Sequence, residues 1–383
     1  MTDSVSALGS PAKRRAIVVR TLKWWERNRR ELAWRVPPGE APDPYRVWLS
    51  EVLLQQTTAQ AATPYYRAFV AQWPRVEDLA GAPNEAVVSA FAGLGYYSRA
   101  LNLHACAREI ARRGGRFPSE EASLRALPGV GAYTAAAIAA IAFGRQAAPV
   151  DGNVARVLAR LIGLEQPIAH ARSDIALAAR ALAPSRRAGD FAQALMDIGA
   201  TICRPRNPDC AACPLGEDCA ARRSGAPEAY PRRAEAKPRL KREGAVFFAR
   251  RADGAFLARR RAPRGLLAST VELPGTPWTG EGPGRALAAL APVVARWRRL
   301  PGSVEQVFSH FALRLTVYAA PFDGGAPHGH FWVAPGAVEA AGFSSVMLKA
   351  VVLALHARIP PRETGAGGRS SGSNSMESST YCR

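Results

Sequence analysis

The stretch EASLRALPGVGAYTAAAIAAIAFG, Glu121 to Gly144, decides how the first half of this 383-residue chain is read. Apolar residues recur at three-four spacing on both sides of LPGVG (Leu127 to Gly131), which marks two helices joined by a tight turn. Ser119, after Pro118, is expected to cap the first helix, with Glu120 and Glu121 supplying the negative charge its N-terminus favours. Gly144 is expected to close the second. A turn carrying Gly129 and Gly131 that opens a helix exposes backbone N–H groups where the dipole attracts an anion, so it can hold a phosphate. It can equally serve compact packing alone, and a strongly basic chain favours the phosphate reading.

The same helical pattern runs from about residue 16 to residue 221, with short Pro or Gly breaks and hardly a strand. Over 222–242 arginines and lysines alternate with Pro227, Pro231 and Pro238, an extended basic linker. Beyond it GAVFFARRADGAFLARRRA (Gly244 to Ala262) holds two apolar runs split by Asp253-Gly254, a hairpin signal, and 243–360 reads as a smaller α+β domain. Residues 361–383 are Gly/Ser-rich and read as a disordered tail in which Cys382 is incidental.

A count of 51 Lys+Arg against 31 Asp+Glu leaves a formal charge of +20, which points to a polyanionic partner such as nucleic acid, with a merely arginine-rich composition as the alternative. The start of the chain lacks a signal-peptide pattern and no run of about 18 apolar residues follows, so secretion and membrane insertion are not expected. In a reducing, cytoplasmic setting clustered cysteines hold metal more often than they pair. Four of the six cysteines lie in one loop, Cys203, Cys210, Cys213 and Cys219, spaced C-x6-C-x2-C-x5-C. Four thiolates in a compact loop suit either tetrahedral zinc or a four-iron cluster. Zinc sites usually present two CxxC knuckles and this loop has one, which favours iron–sulfur and leaves zinc open. Arg204 and Arg206 give the loop a surface that can meet phosphate.

Two carboxylates stand out. In PYRVWLSEVLLQQTTAQ (Pro44 to Gln60), Glu51 is an exposed first-turn acid if Ser50 caps the helix. If the helix starts nearer Tyr45, Glu51 lies on an apolar face where desolvation raises its pKa and makes it a candidate general acid; the scarcity of other polar groups from Arg46 to Leu54 favours this second reading. In PVDGNVARVLAR (Pro149 to Arg160), Asp151 reads first as an N-cap, a role compatible with facing positive charge on a bound sugar.

SEVLLQQT, GLGYYSRA (Gly93 to Ala100), LPGVG, VDGNVARVLAR, DIGATIC (Asp197 to Cys203) and the cysteine loop, in this order, resemble the helix-hairpin-helix DNA glycosylases of the endonuclease III superfamily, and among them the adenine-specific MutY branch, over about residues 20–360. The resemblance implies a mostly α N-terminal region over 16–221, a six-helix barrel with an iron–sulfur cluster domain at 203–219, followed by an α+β, MutT-like (Nudix-like) domain. It implies a 4Fe-4S cluster on Cys203, Cys210, Cys213 and Cys219 whose loop grips the DNA backbone. It assigns Glu51 to protonating adenine, Asp151 to stabilising the sugar cation, and Tyr133 and Asn153 to orienting them. Trp34 and Arg35 would line the adenine pocket, Gln56 and Tyr96 fill the gap left by the flipped base, and Leu127, Gly129 and Gly131 meet the DNA backbone. Ser309 in FSHF, flanked by Phe308 and His310, would read 8-oxoguanine. Partners are then duplexes with A:8-oxoguanine or A:G pairs, bound by a monomer in a bacterial cytoplasm at the nucleoid.

Relatives that also nick the strand use a lysine where Tyr133 stands, and no lysine occurs between Lys23 and Lys237, so water is the expected nucleophile. GEGPGRALAALAPVVARWRR lacks the run of glutamates a Nudix hydrolase needs to hold magnesium, so phosphohydrolysis is not expected; GLLASTVELPGTPW (Gly265 to Trp278) also departs from the family pattern. The rival readings are an endonuclease III-like pyrimidine glycosylase with lyase activity and a DNA-binding scaffold without chemistry.

Overall fold

The computed structural model describes residues 4–37, 40, 42–91, 94, 97–232, 238–262, 265–268, 270–282, 284–308, 310–339 and 341–357. Two compact units result, one from residues 1–94 and 99–236, the other from 95–98 and 237–383. The first is helical: α1 (Pro11–Asn28), α2 (Pro44–Leu53), α3 (Ala59–Gln72), α4 (Val76–Gly81), α5 (Asn84–Ala90), α6 (Tyr97–Arg112), α7 (Glu121–Arg125), α8 (Ala132–Phe143), α9 (Gly152–Ile162), α10 (Arg172–Leu182), α11 (Ala188–Thr201) and α12 (Ala220–Arg223). Trp48, Leu49, Leu53, Phe69 and Phe91 belong to one apolar core, and Ile17, Leu158, Leu161, Ile175 and Ile198 to a second.

α8 runs from Gly131, its N-cap, to Gly144, whose φ of 62° ends it in the left-handed conformation. Two glycines of α11 allow close approach, Gly189 to α8 and Gly199 to α9: a Cβ on Gly189 would lie 2.6 Å from the Ala140 carbonyl oxygen, and one on Gly199 2.6 Å from Asn153 Cβ. α7 departs from expectation. Its cap residue is Glu120, which makes no side-chain cap bond, and Ser119 instead accepts from Arg145 Nη2 at 2.8 Å. The basic stretch after residue 222 is structured through Arg232: Tyr230 is buried, its hydroxyl meets Glu165 at 2.5 Å, and Arg232 pairs with Glu165 at 2.9 Å.

The second unit carries β1 (Leu240–Arg250), β2 (Phe256–Arg260), β3 (Val271–Glu272), β4 (Arg298–Arg299), β5 (Val304–Val307), β6 (Phe311–Pro321), β7 (His330–Val333) and α13 (Ser345–His356). The sheet order is β3-β2-β1-β6-β4, with β5 also on β6 and β7 on β2. β1 and β6 are parallel, Leu240 opposite Phe311 through Arg250 opposite Pro321. Gly254, at φ 86°, turns β1 into β2 as its Asp-Gly pair predicts. α13 buries Val346, Met347, Ala350 and Val351 in the core holding Phe248 and Phe256, while Phe247 packs with Trp297 in a separate cluster. Where a Nudix hydrolase needs its acidic helix, Gly284–Leu290 forms a short 3-10 turn, GRALAAL, without a carboxylate.

Candidate active site

Asp43 caps α2 by accepting from the Tyr45 backbone N–H at 2.9 Å, so the helix begins early and Glu51 falls on its buried face at 5 % exposure. Burial pushes the Glu51 carboxyl up to about 7; a hydrogen bond with the Tyr133 hydroxyl opposes the rise, Asp151 reinforces it and Arg35 opposes it. Oε2 of Glu51 is buried with no hydrogen-bond partner. Burial, with the nearby charges of Glu51 and Asp151, also lifts the Tyr133 phenol well above its ordinary range, so it stays a neutral donor.

Glu51, Tyr133, Asp151 and Asn153 line one cavity of about 1250 Å³, together with Trp34, Arg35, Gln56, Gly129 and Gly131. Asp151 is the N-cap of α9, its Oδ1 accepting from the Val154 N–H at 2.7 Å, and its Oδ2 accepts from Asn153 Nδ2 at 3.1 Å. The capping role and the cavity role thus fall to the same carboxylate. Asn153 is held in turn by Arg156, whose Nη2 donates to its Oδ1 at 2.8 Å while Nε donates to the Cys203 carbonyl at 2.8 Å.

Gln56 is exposed at the cavity with φ 59°, a left-handed backbone uncommon outside glycine, and Arg99 braces this turn by donating to the carbonyls of Val52 and Gln55. Gly129, at φ 72°, has no room for a side chain, since a Cβ would lie 2.7 Å from Asn102 Cβ. No side chain caps α8 at Gly131. The Leu127 side chain is 3 % exposed and packed in the core, which leaves the turn its backbone groups to present. Tyr96 and Ser309 lie outside the described residues. Phe308 is half-buried and stacked between Trp278 (6.1 Å) and Phe311 (4.8 Å), and His310 is exposed.

Sequence reasoning missed the support of the pocket wall. Asp197 on α11, fully buried, accepts from Arg35 Nη1 (2.6 Å) and Nη2 (2.8 Å), from Arg30 Nε (2.5 Å) and N (3.1 Å), and from Trp25 Nε1 (3.2 Å). Burial alone would raise this carboxyl; the two guanidinium groups outweigh it and hold it below the usual range. Its signals in the sequence were an acid inside the apolar run ALMDIGA and its place at the head of the DIGATIC block, neither of which names a partner.

The four loop cysteines are unpaired and half-buried. Burial pushes the Cys213 thiol up to about 12, with the backbone N–H of Leu215 opposing and Cys203, Cys219 and Cys210 adding to the rise. Burial likewise raises Cys219 and Cys210. Arg160, 2 % exposed, reaches Cys203 Sγ at 3.3 Å and the carbonyls of Arg204 and Pro205 at 2.7 and 3.1 Å. Among the described residues no three His, Cys, Asp or Glu side chains are arranged around a single ion.

Residues 49–178 match the family of HhH-GPD superfamily base excision DNA repair proteins, and 245–352 match the NUDIX domain. The adenine DNA glycosylase of Homo sapiens is 34 % identical over 86 % of this chain and 72 % of its own length. That of Rattus norvegicus is 33 % identical over 80 % and 70 %. Among solved structures, a thermostable thymine-DNA glycosylase superposes with a TM-score of 0.50 at 32 % identity, covering 56 % of this chain and 98 % of that one.

Proposed function

The chain belongs to the adenine DNA glycosylase family, and we propose that it excises adenine paired with 8-oxoguanine or guanine, as the first step of base excision repair. The observation that carries this reading is the unpartnered Oε2 of Glu51, on a carboxyl whose pKa burial lifts to about 7, in the same cavity as Asp151. A carboxyl that stays protonated near neutral pH can donate to a ring nitrogen of a flipped adenine. As the glycosidic bond breaks, its electron pair leaves with the protonated base, and the oxocarbenium-like sugar faces the carboxylate of Asp151. Water then adds to the anomeric carbon and loses its proton, leaving an abasic site. Tyr133 and Asn153 orient the two carboxyl groups through the contacts described above. Among the described residues no lysine lines the cavity to take water's place.

The cysteine loop fits a cluster by its donor set. Four cysteines of one loop supply the donor number, and Arg160 with the backbone N–H groups of Leu215, Ala221 and Arg222 reaches their sulfurs, the donors that would offset the negative charge of thiolates once a cluster takes the place of their protons. Cys203, Cys210, Cys213 and Cys219 would then hold a 4Fe-4S cluster that fixes the loop. Analysis of purified protein is expected to give about four iron and four sulfide per chain; one zinc and no sulfide would overturn the assignment. In the lesion-reading role, Ser309 and its neighbours Phe308 and His310 would contact the base opposite adenine.

Single-turnover incubation with a duplex holding one A:8-oxoguanine pair tests the whole reading. Strand cleavage that needs later alkali is expected, and cleavage without alkali, in a preparation free of lyase, would mean an amine attacks the sugar.

A further inference from the structure

The wall that a flipped base would meet leans on α11. Leu32, Trp34 and Arg35 line the cavity from the segment between α1 and α2, whose described residues hold no helix or strand. Trp34 packs edge-on against Tyr66 at 5.6 Å and Arg29 Nη1 donates to the Val36 carbonyl at 3.2 Å, but the tie from the segment to α11 is one carboxylate. Asp197 takes both terminal nitrogens of Arg35 and both the side chain and backbone of Arg30, and Trp25 completes its shell. Arg35 Nη1 also donates to the Arg30 carbonyl at 3.0 Å, closing the segment on itself. A bidentate guanidinium–carboxylate pair fixes orientation as well as distance, so the direction of Arg35 is set from α11. A fully buried carboxylate with five donors is removed only at the cost of leaving the buried Arg35 guanidinium unmatched.

We propose that Asp197 is a positioning residue for adenine excision: by holding Arg35 and Arg30 it sets the pocket wall carrying Trp34 and keeps the Arg35 charge from turning onto the Glu51 carboxyl. This rests on the glycosylase reading given above. Three charged or titratable groups act on Glu51: Tyr133 on α8, Asp151 at the start of α9, and Arg35. Of these, Arg35 alone is cationic and alone is shared with Asp197. Without its counter-charge, Arg35 stabilises the ionised form of Glu51, which holds no proton to donate.

The test compares the single-turnover pH profile of the full-length protein with those of Asp197→Asn, Asp197→Glu and Arg35→Lys, on a duplex holding one A:8-oxoguanine pair. Asp197→Asn is expected to move the alkaline limb down by about one pH unit, lowering the rate at pH 7.5 about tenfold, and Asp197→Glu to restore part of it. Arg35→Lys keeps the charge but loses the two-pronged pairing, and Asp197 still has Arg30 and Trp25, so it serves where Asp197→Asn does not fold; the same downward shift is expected. A folded Asp197→Asn or Arg35→Lys with the parental limb and rate would overturn the proposal. If the parent itself releases no adenine, the glycosylase reading fails first, and with it this one.

Discussion

The α2 wall and the α11 wall of the cavity each bury one carboxylate and treat it in opposite ways. Glu51 keeps one oxygen without a partner and its pKa rises to about 7; Asp197 receives five donors and its pKa falls. Burial is common to both, so burial alone does not make an acid. What decides is how many donors the fold spends on the carboxylate: the orphaned one can lend a proton, and the saturated one can only hold its neighbours still.

The sharpest way to break that contrast is Glu51→Gln, which removes the proton donor and little else. The single-turnover rate is expected to fall about a thousandfold with duplex affinity retained, as measured by quench-flow and gel shift. The second effect is on stability. Because the folded pKa of Glu51 lies above its unfolded value, the folded state binds the extra proton, and stability is full below about 4.5 and declines as pH rises towards 7. Urea unfolding at pH 8 is therefore expected to find Glu51→Gln more stable than the parent by about 3 kcal/mol, with the gap closing at pH 4.5. A gap that does not change with pH would show that Glu51 is not held protonated by the fold. A smaller effect concerns Asp151: Arg156→Met frees Asn153 and is expected to slow excision about tenfold, the size of one charge-assisted hydrogen bond, without moving the alkaline limb set by Glu51. Smallest is Ser309→Ala, expected to lower the preference for 8-oxoguanine over guanine a few-fold while leaving the Glu51 limb in place, since one neutral hydrogen bond contributes about 1 kcal/mol.

Much of the α2 side was legible in the sequence. Pro44 and Asp43 fix where α2 starts, and that start settles which face Glu51 takes. Asp151 was readable from its capping position and LPGVG from its glycines, because local backbone rules govern both. Asp197 was not, since its partners lie 162 and more residues away in sequence and no local rule joins them. Ser119 shows how a single-residue shift in a helix start moves a capping assignment to the wrong side chain.

The two glycines of α11 have a consequence for anyone weighing inherited or engineered variants. At Gly189 the space for a methyl group is taken by the backbone of α8, and at Gly199 by Asn153 at the head of α9. Glycine to alanine ranks among the mildest of substitutions and, in a helix, among the most welcome. At these two addresses it acts as a wedge: Gly199→Ala, which alters no charge and no catalytic group, would push on the residue that steadies Asp151, and belongs with the damaging changes rather than the tolerated ones.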